Sequence, residues 1–300
     1  MPDVRVITAR PHRLLRPMIK QIWELHRNGK SCILLVPEQF TLQAERELLE
    51  QLNLKGLFTI EVVSPTRLRH RVTASVGTDE RAPLTPAGQQ MAVSFALEAC
   101  AEQLSFYRTS VSRHGFSQKL AALIADMKRG GLKPNTLAEY AKTLPEGMRR
   151  EKFADLAVLY GAYEQTLGDR LKDGDDLNQF VTERLPESGL LQDRQVFVYG
   201  FDALPDQLIT LLCAIASHCE SLTVGLIADS AGAADQNIYL PVRRSVARFR
   251  KALNEHGLEL TETPLPKEAL DHAPAIEHLD ATLFAYPQTR FLGEQDNVIL

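Results

Sequence analysis

Ser31-Cys-Ile-Leu-Leu-Val-Pro-Glu-Gln-Phe-Thr41 passes from an unbroken apolar run into a turn and then into a helical pattern. A short continuous apolar run of this kind, closed by proline, reads as a strand buried on both faces. The same grammar recurs on either side of it. Val4-Arg-Val-Ile7 precedes it, Ile60-Glu-Val-Val-Ser-Pro-Thr-Arg-Leu68 follows, and Gln195-Val-Phe-Val-Tyr-Gly-Phe201 comes much later. Short apolar strands each followed by a helical stretch predict an α/β fold, a parallel sheet flanked by helices, as in nucleotide-binding domains.

The chemistry of such a domain is missing at two places. A P-loop needs glycines to bring backbone amides onto the phosphates and a lysine to reach them. The segment after Ile7 is Thr8-Ala-Arg-Pro-His-Arg-Leu-Leu-Arg16, without glycine or lysine. Arg10, Arg13 and Arg16 could gather an anion at the next helix N-terminus, yet a tight wrap around a triphosphate is sterically difficult without glycine. A motor also needs an Asp-Glu pair at the end of a later strand to hold magnesium and orient water. There the sequence reads Tyr199-Gly-Phe-Asp202, with Tyr199 and Gly200 in the places of the acids. The layout predicts a P-loop NTPase or helicase-like core that has lost its catalysis.

Bulk properties narrow the partners. The net charge of the 300 residues is −4, so there is no overall attraction to nucleic acid, and DNA binding would need local basic surface. Three stretches supply it: Arg5 to Lys30, Arg67 to Arg71, and Arg243 to Lys251. In the third, Val246, Phe249 and Leu253 make an apolar side, the mark of a solvated helix face. No apolar run reaches the roughly 18 residues of a membrane helix, and charges interrupt Met1 to Lys30, so neither a membrane nor a signal peptide is expected. Cys32, Cys100, Cys213 and Cys219 are scattered on apolar segments, as buried thiols of a cytoplasmic protein are.

Along the chain, residues 1 to about 78 alternate strand and helix, with Leu42, Leu48, Leu49 and Leu52 expected on the core side of the helix after Thr41. From about 84 to 185 helical stripes follow one another. Val93, Leu97, Cys100 and Leu104 form the first, and Leu120, Leu123, Ile124 and Met127 the second. Leu156, Leu159, Tyr160, Tyr163 and Leu167 form the third, and Leu177, Phe180, Val181 and Leu185 the fourth. Proline and glycine breakers separate them. Strand patterns return at Gln195–Tyr199 and Thr223–Ile227. The expected organisation is a discontinuous α/β core over 1–79 and 188–300, with an all-helical insertion over 80–187. The apolar run Asn297-Val-Ile-Leu300 stops where a strand would begin, which predicts a piece of a longer protein.

Several of these segments also carry a resemblance. Ile33-Leu-Leu-Val-Pro-Glu-Gln-Phe-Thr-Leu-Gln-Ala-Glu45 resembles the N-terminal signature of the AddB (RexB) family, subunits of bacterial ATP-dependent helicase–nucleases. Ser64-Pro-Thr-Arg-Leu68, Lys152-Phe-Ala-Asp-Leu-Ala-Val-Leu-Tyr160, Tyr199-Gly-Phe-Asp-Ala-Leu-Pro205 and Ile276-Glu-His-Leu-Asp-Ala-Thr-Leu-Phe284 fit as well, in the family's order. The resemblance implies a superfamily 1 helicase-like region that handles single-stranded DNA in recombinational repair, beside an AddA-type motor subunit. It implies scanning for a short recombination hotspot. It places a nuclease module with an iron–sulfur cluster and magnesium beyond Leu300, so no cofactor is expected in this region.

Ligands of open parallel sheets bind outside the carboxyl ends of the strands. Gln39 and Thr41 follow the second strand, and their side chains can bond a base edge or a phosphate. Thr41 is equally suited to cap the helix beginning at Leu42. Arg67, after the third strand, can form a bidentate pair with guanine or phosphate, and His70 can stack on a base. Pro65 and His70 stand near places where the family tends to carry aromatic residues. Phe201, after the strand ending at Tyr199, can stack on a base or plug the core. Gln39, Thr41, Arg67, His70 and Phe201 are therefore expected to line a DNA path. Two other readings stand beside this one: a scaffold that docks the motor subunit without touching DNA, and an active helicase, which would need an intact phosphate loop.

Other clusters point to structure. Lys172-Asp-Gly-Asp-Asp-Leu177 lacks the glycine and closing glutamate of a calcium loop and reads as the acidic start of a helix. The spacing of Cys213, His218 and Cys219 matches no zinc site. No Gly-x-Ser-x-Gly elbow or His-Glu-x-x-His pair anchors a hydrolase.

Overall fold

Parallel strands form the sheet of the larger of two units into which the chain divides. The computed structural model describes residues 2–78, 80–113, 115–229, 236–265, 273–287 and 289–293. The larger unit comprises Met1–Ser75, Leu185–Leu204 and Leu208–Leu300, and the other comprises Val76–Arg184 with Pro205–Gln207. The chain begins with β1 (Asp3–Ala9), α1 (Leu15–Arg27), β2 (Ser31–Leu35), α2 (Thr41–Leu52), β3 (Ile60–Val63) and α3 (Pro65–Val76). Next come β4 (Ala82–Pro83), α4 (Pro86–Cys100), α5 (Phe116–Arg129), α6 (Pro134–Thr143), α7 (Met148–Leu167), β5 (Leu171–Lys172) and α8 (Gly174–Arg184). It then adds β6 (Arg194–Val198), α9 (Asp206–Ala216), β7 (Ser221–Ile227), α10 (Leu240–Glu255), β8 (Leu260–Pro264) and α11 (Pro274–Thr282). The terminal run Asn297–Leu300 lies outside the described residues.

The six-stranded sheet has the order β3-β2-β6-β7-β1-β8, and all its pairings are parallel. β2, β6 and β7 are interior strands, which is why their sequences are near-continuous apolar runs. β3 and β8 are the edges, and Leu260-Thr-Glu-Thr-Pro264 of β8 is exposed along most of its length. Its polar residues and terminal proline are how an edge strand avoids further pairing, and also why no apolar run announces it. On one face α1 buries Met18, Ile19 and Ile22 against the strands. A Cβ at Gly225 of β7 would stand 2.8 Å from the Met18 sulfur, so a larger residue here would force the Met18 side chain to shift.

α2 departs from the expected stripe. Its buried residues are Ala44 and Leu48, while Leu42 is 76% exposed. The helix starts at Thr41, and with 3.6 residues per turn the side facing the sheet is set by Ala44, Leu48 and Leu52. Leu42 falls on the opposite side.

The second unit packs α4, α5 and α7 around Val93, Leu97, Leu120, Ile124, Leu159, Tyr160 and Tyr163. Each fully buried large side chain there contributes roughly 1.5–3 kcal/mol relative to exposure. The expected all-helical insertion needs one correction. β4 and β5 form a two-stranded parallel pairing, with Ala82 N–H donating to the Arg170 carbonyl and Leu84 N–H to the Lys172 carbonyl, both at 2.8 Å. Pro83 and Pro86 keep this entry segment extended, so its amides bond to the strand leaving α7.

Candidate nucleic-acid interface

The sheet order makes β3, β2 and β6 neighbours, so the loops at their carboxyl ends share one rim. β2 leads through Pro37 into a 3-10 turn, Glu38–Phe40, and then directly into α2. β3 leads through the buried Ser64 into α3. Two hydrogen bonds supply the first turn of α3. The Ser64 hydroxyl accepts from Arg67 N–H at 3.2 Å, and the Glu38 carboxylate accepts from Thr66 N–H at 3.0 Å. Serine before proline is an N-cap signature legible in the sequence. The role of Glu38, reaching across from the neighbouring loop, carried no such signal. Partial burial alone would raise the Glu38 pKa, but hydrogen bonds from Thr66 and Ser64, with Arg69 nearby, hold it below the ordinary carboxylate value.

The loop after β6 is joined to the same rim through Gly200. Its φ of 85° lies in the left-handed region, and a Cβ there would meet Pro37 Cδ at 3.2 Å and Phe40 Cδ2 at 3.4 Å. Glycine in the place expected for a magnesium-binding acid is thus required by the close approach of two loops.

The predicted path residues occupy this frame unequally. Gln39 is exposed on the turn after β2. Thr41 caps nothing: it is the first residue of α2, the preceding Phe40 makes no side-chain cap, and the Thr41 hydroxyl donates to the Glu38 carbonyl at 3.0 Å. Arg67 is exposed but engaged, its Nη1 donating to Glu45 at 3.0 Å and to the Val62 carbonyl at 3.3 Å. His70 is exposed on the second turn of α3, roughly 8 Å along the helix axis from its start. It therefore stands on the flank of α3, farther from the strand ends than the other four. Phe201 is half-buried directly after Gly200. Gln39, Thr41, Arg67 and Phe201 are gathered at the rim, with acceptors and donors suited to base edges and one aromatic face.

The crevice where a nucleotide would bind is differently filled. β1 connects through α1 toward β2 on one side, while its neighbour β7 connects through α10 to β8 on the other, so the switch point of the sheet lies between β1 and β7. There Arg10, just after β1 and 5% exposed, places Nε 2.5 Å from an Asp229 carboxylate oxygen just after β7. Its Nη1 donates to the Asp280 carbonyl of α11, and Arg13 Nη2 lies 3.8 Å from the Asp280 carboxylate. The anion site conceived for Arg10, Arg13 and Arg16 is corrected accordingly: Arg10 is bonded to Asp229 and to the Asp280 carbonyl, and Arg13 lies beside Asp280, while Arg16 is exposed on α1. No sequence spacing points to those partners.

In the second unit, Asp173 and Asp176 form a capping box at the start of α8. Asp173 accepts from Asp176 N–H at 2.9 Å and Asp176 accepts from Asp173 N–H at 3.1 Å. Lys128 lies 2.7 Å from Asp173, 2.8 Å from Asp176 and 2.9 Å from Glu164, and the Tyr163 hydroxyl donates to Asp173 at 3.0 Å. The acids are structural, as their position suggested. Cys32, Cys100, Cys213 and Cys219 are buried free thiols, and burial pushes Cys219 up to about 12. Among the described residues no group of three His, Cys, Asp or Glu side chains is placed to hold a metal ion. No described helix is long and apolar enough to cross a membrane.

The protein family "ADDB, N-terminal" matches residues 10–280. The chain belongs to this family. It is 29% identical over 266 residues to the AddB-type component of the ATP-dependent helicase/deoxyribonuclease of Alkaliphilus oremlandii, covering 87% of this chain and 23% of the relative. The corresponding protein of Heliobacterium modesticaldum is 29% identical over 279 residues, covering 88% and 23%, and that of Bacillus cereus strain B4264 is 26% identical over 278 residues, covering 89% and 24%. The chain thus spans about a quarter of the length of these AddB relatives. Among solved structures, VirB4 of Thermoanaerobacter pseudethanolicus is similar over 88% of this chain and 77% of its own, at 13% identity and a TM-score of 0.31, too distant to bear on function.

Proposed function

We propose that this AddB-type region guides and scans single-stranded DNA without hydrolysing ATP, in a helicase–nuclease whose AddA-type motor subunit draws the strand past it. Its scanning would include recognition of a recombination hotspot during double-strand break repair. The observation that carries this reading is the convergence of Gln39, Thr41, Arg67 and Phe201 on one rim, at the carboxyl ends of β2, β3 and β6. His70 contributes from the flank of α3. The absence of glycine and lysine after β1, with Arg10 bonded to Asp229 at the switch point, supports a non-catalytic role. Nuclease chemistry, with its iron–sulfur cluster and magnesium, is assigned to other parts of such proteins.

Phe201→Ala and Arg67→Ala, placed in the assembled helicase–nuclease, test the reading. Base stacking is worth roughly 1–3 kcal/mol per base, so pausing at the hotspot should weaken at least several-fold. ATP hydrolysis by the motor subunit should stay nearly unchanged. An unaltered hotspot response in both variants would favour a scaffold that docks the motor without DNA contact, and loss of assembly would assign the residues to packing.

A further inference from the structure

Among the described residues, most cations near the rim are paired, and Arg69 lies close to Glu38. Arg67 is paired with Glu45, Arg71 with Glu61 and Arg46 with Glu50, while Glu38 is exposed among them. Such a surface can read bases, but it offers little to a phosphate backbone.

α10 offers the reverse. Its inner side, Val242, Val246, Phe249 and Leu253, is buried. Its outer side presents Arg244, Ala247, Arg248 and Lys251, all exposed and all but Ala247 cationic. These positions, at i, i+3, i+4 and i+7, share one face and span about 10 Å of helix. Among the described residues, neither Arg244 nor Lys251 has a carboxylate partner. The neighbouring cations are committed: Arg243 donates to the Asp229 carbonyl at 3.2 Å, and Arg250 pairs with Glu262. Arg248 Nη2 donates to the Leu204 carbonyl at 3.1 Å, which ties the stripe to the loop that carries Phe201. The exposed Glu255, one turn beyond Lys251, ends the stripe.

The stripe has no aromatic side chain, since Phe249 faces the core. Sites for single strands combine cations with aromatic platforms on which bases stack. Cations alone suit a sugar–phosphate backbone held independently of sequence, as on a duplex. We propose that Arg244, Arg248 and Lys251 on α10 form a second nucleic-acid contact, which holds the phosphate backbone of duplex DNA. The inference rests on the DNA-handling reading above and extends it, the rim taking bases of the single strand and α10 the unopened duplex.

The test measures binding of a duplex oligonucleotide, and of one of its single strands, to the assembly purified through this protein, over a range of salt. Each phosphate contact contributes about 0.9 to the slope of log affinity against log salt for duplex DNA. Arg244→Gln combined with Lys251→Gln should lower the duplex slope by about 2, so that a fourfold rise in salt costs the variant roughly tenfold less affinity than the unaltered protein. Single-strand binding should be unchanged. Both positions are exposed, so the unfolding midpoint should hold. Arg16→Gln with Lys20→Gln, exposed on α1, removes the same charge elsewhere and should leave the slope intact. An unchanged duplex slope in the α10 variant, or an equal fall in the α1 control, overturns the inference. A fall seen on the single strand in place of the duplex also overturns it. If hotspot pausing still depends on Phe201 while the α10 variant behaves as unaltered, only this inference fails. If the unaltered assembly binds neither form of DNA, the DNA-handling reading fails with it.

Discussion

The carboxylate of Glu38, on the turn after β2, accepts the backbone N–H of Thr66, at the head of α3, across 3.0 Å. Two segments that lie far apart in the sequence are locked together by this bond and by the Arg67–Glu45 pair at 3.0 Å. Glu38 thereby holds the geometry of the rim.

Glu38→Gln should remove the charge from this contact and destabilise the protein by about 0.5–1 kcal/mol, the low end of a helix-cap loss because the group is exposed. The pH dependence has a definite sign. The folded-state pKa of Glu38 lies below its ordinary value, so its contribution is present above the unfolded pKa and lost as pH falls through the folded one. Thermal unfolding from neutral pH to about pH 3 should show a shallower acid decline in the variant than in the unaltered protein.

Gly200→Ala should be more damaging than its size suggests. The new Cβ would sit at a φ of 85° and press on Pro37 Cδ at 3.2 Å. Strain in the left-handed region together with displacement of the β2 loop predicts a loss of roughly 1–3 kcal/mol. Urea unfolding measures it, and an unchanged midpoint would mean that the loops do not make this close approach.

Lys128→Met leaves Asp173 buried with its amide and tyrosine partners but no cation. Breaking a buried ion pair from one side costs roughly 3–5 kcal/mol, so chemical denaturation should show a large loss in the unit holding α5, α7 and α8. Burial acts to raise the Asp173 pKa, but hydrogen bonds from Lys128 and the Asp176 amide outweigh it and lower the value. That stabilisation is present above the ordinary aspartate pKa and disappears on acidification through the folded one. The acid limb of the stability curve should therefore flatten in the variant.

Isothermal titration with ATP and magnesium should show no saturable heat up to low millimolar nucleotide. The loop after β1 has no glycine to bring its amides onto phosphates, and Arg10 is bonded to Asp229 in the crevice. Saturable binding with turnover would refute the non-catalytic reading.

The sequence by itself determined the parallel α/β core, because β2, β6 and β7 are interior strands and such strands are near-continuous apolar runs. It also determined most of the first three helical stripes of the second unit, whose period records the side each helix buries, although Leu123 of the second stripe is exposed. It showed that the segment after β1 carries neither glycine nor lysine, which is visible without coordinates. Tertiary structure alone decided what depends on contacts between distant residues. The partners of Arg10, the exposure of Leu42, the short β4–β5 pairing and the polar edge strand β8 leave no local pattern. The same holds for the rim: the sequence put Gln39, Thr41, Arg67, His70 and Phe201 after three strands, but strand order made those strands neighbours. Helix rise then carried His70 to the flank of α3, and the contacts of Arg243 with the Asp229 carbonyl and of Arg250 with Glu262 left Arg244 and Lys251 as cations of α10 without a carboxylate partner among the described residues. Local periodicity encodes which side of an element meets the core, whereas charge pairing and loop contact are settled only when the sheet brings remote segments together.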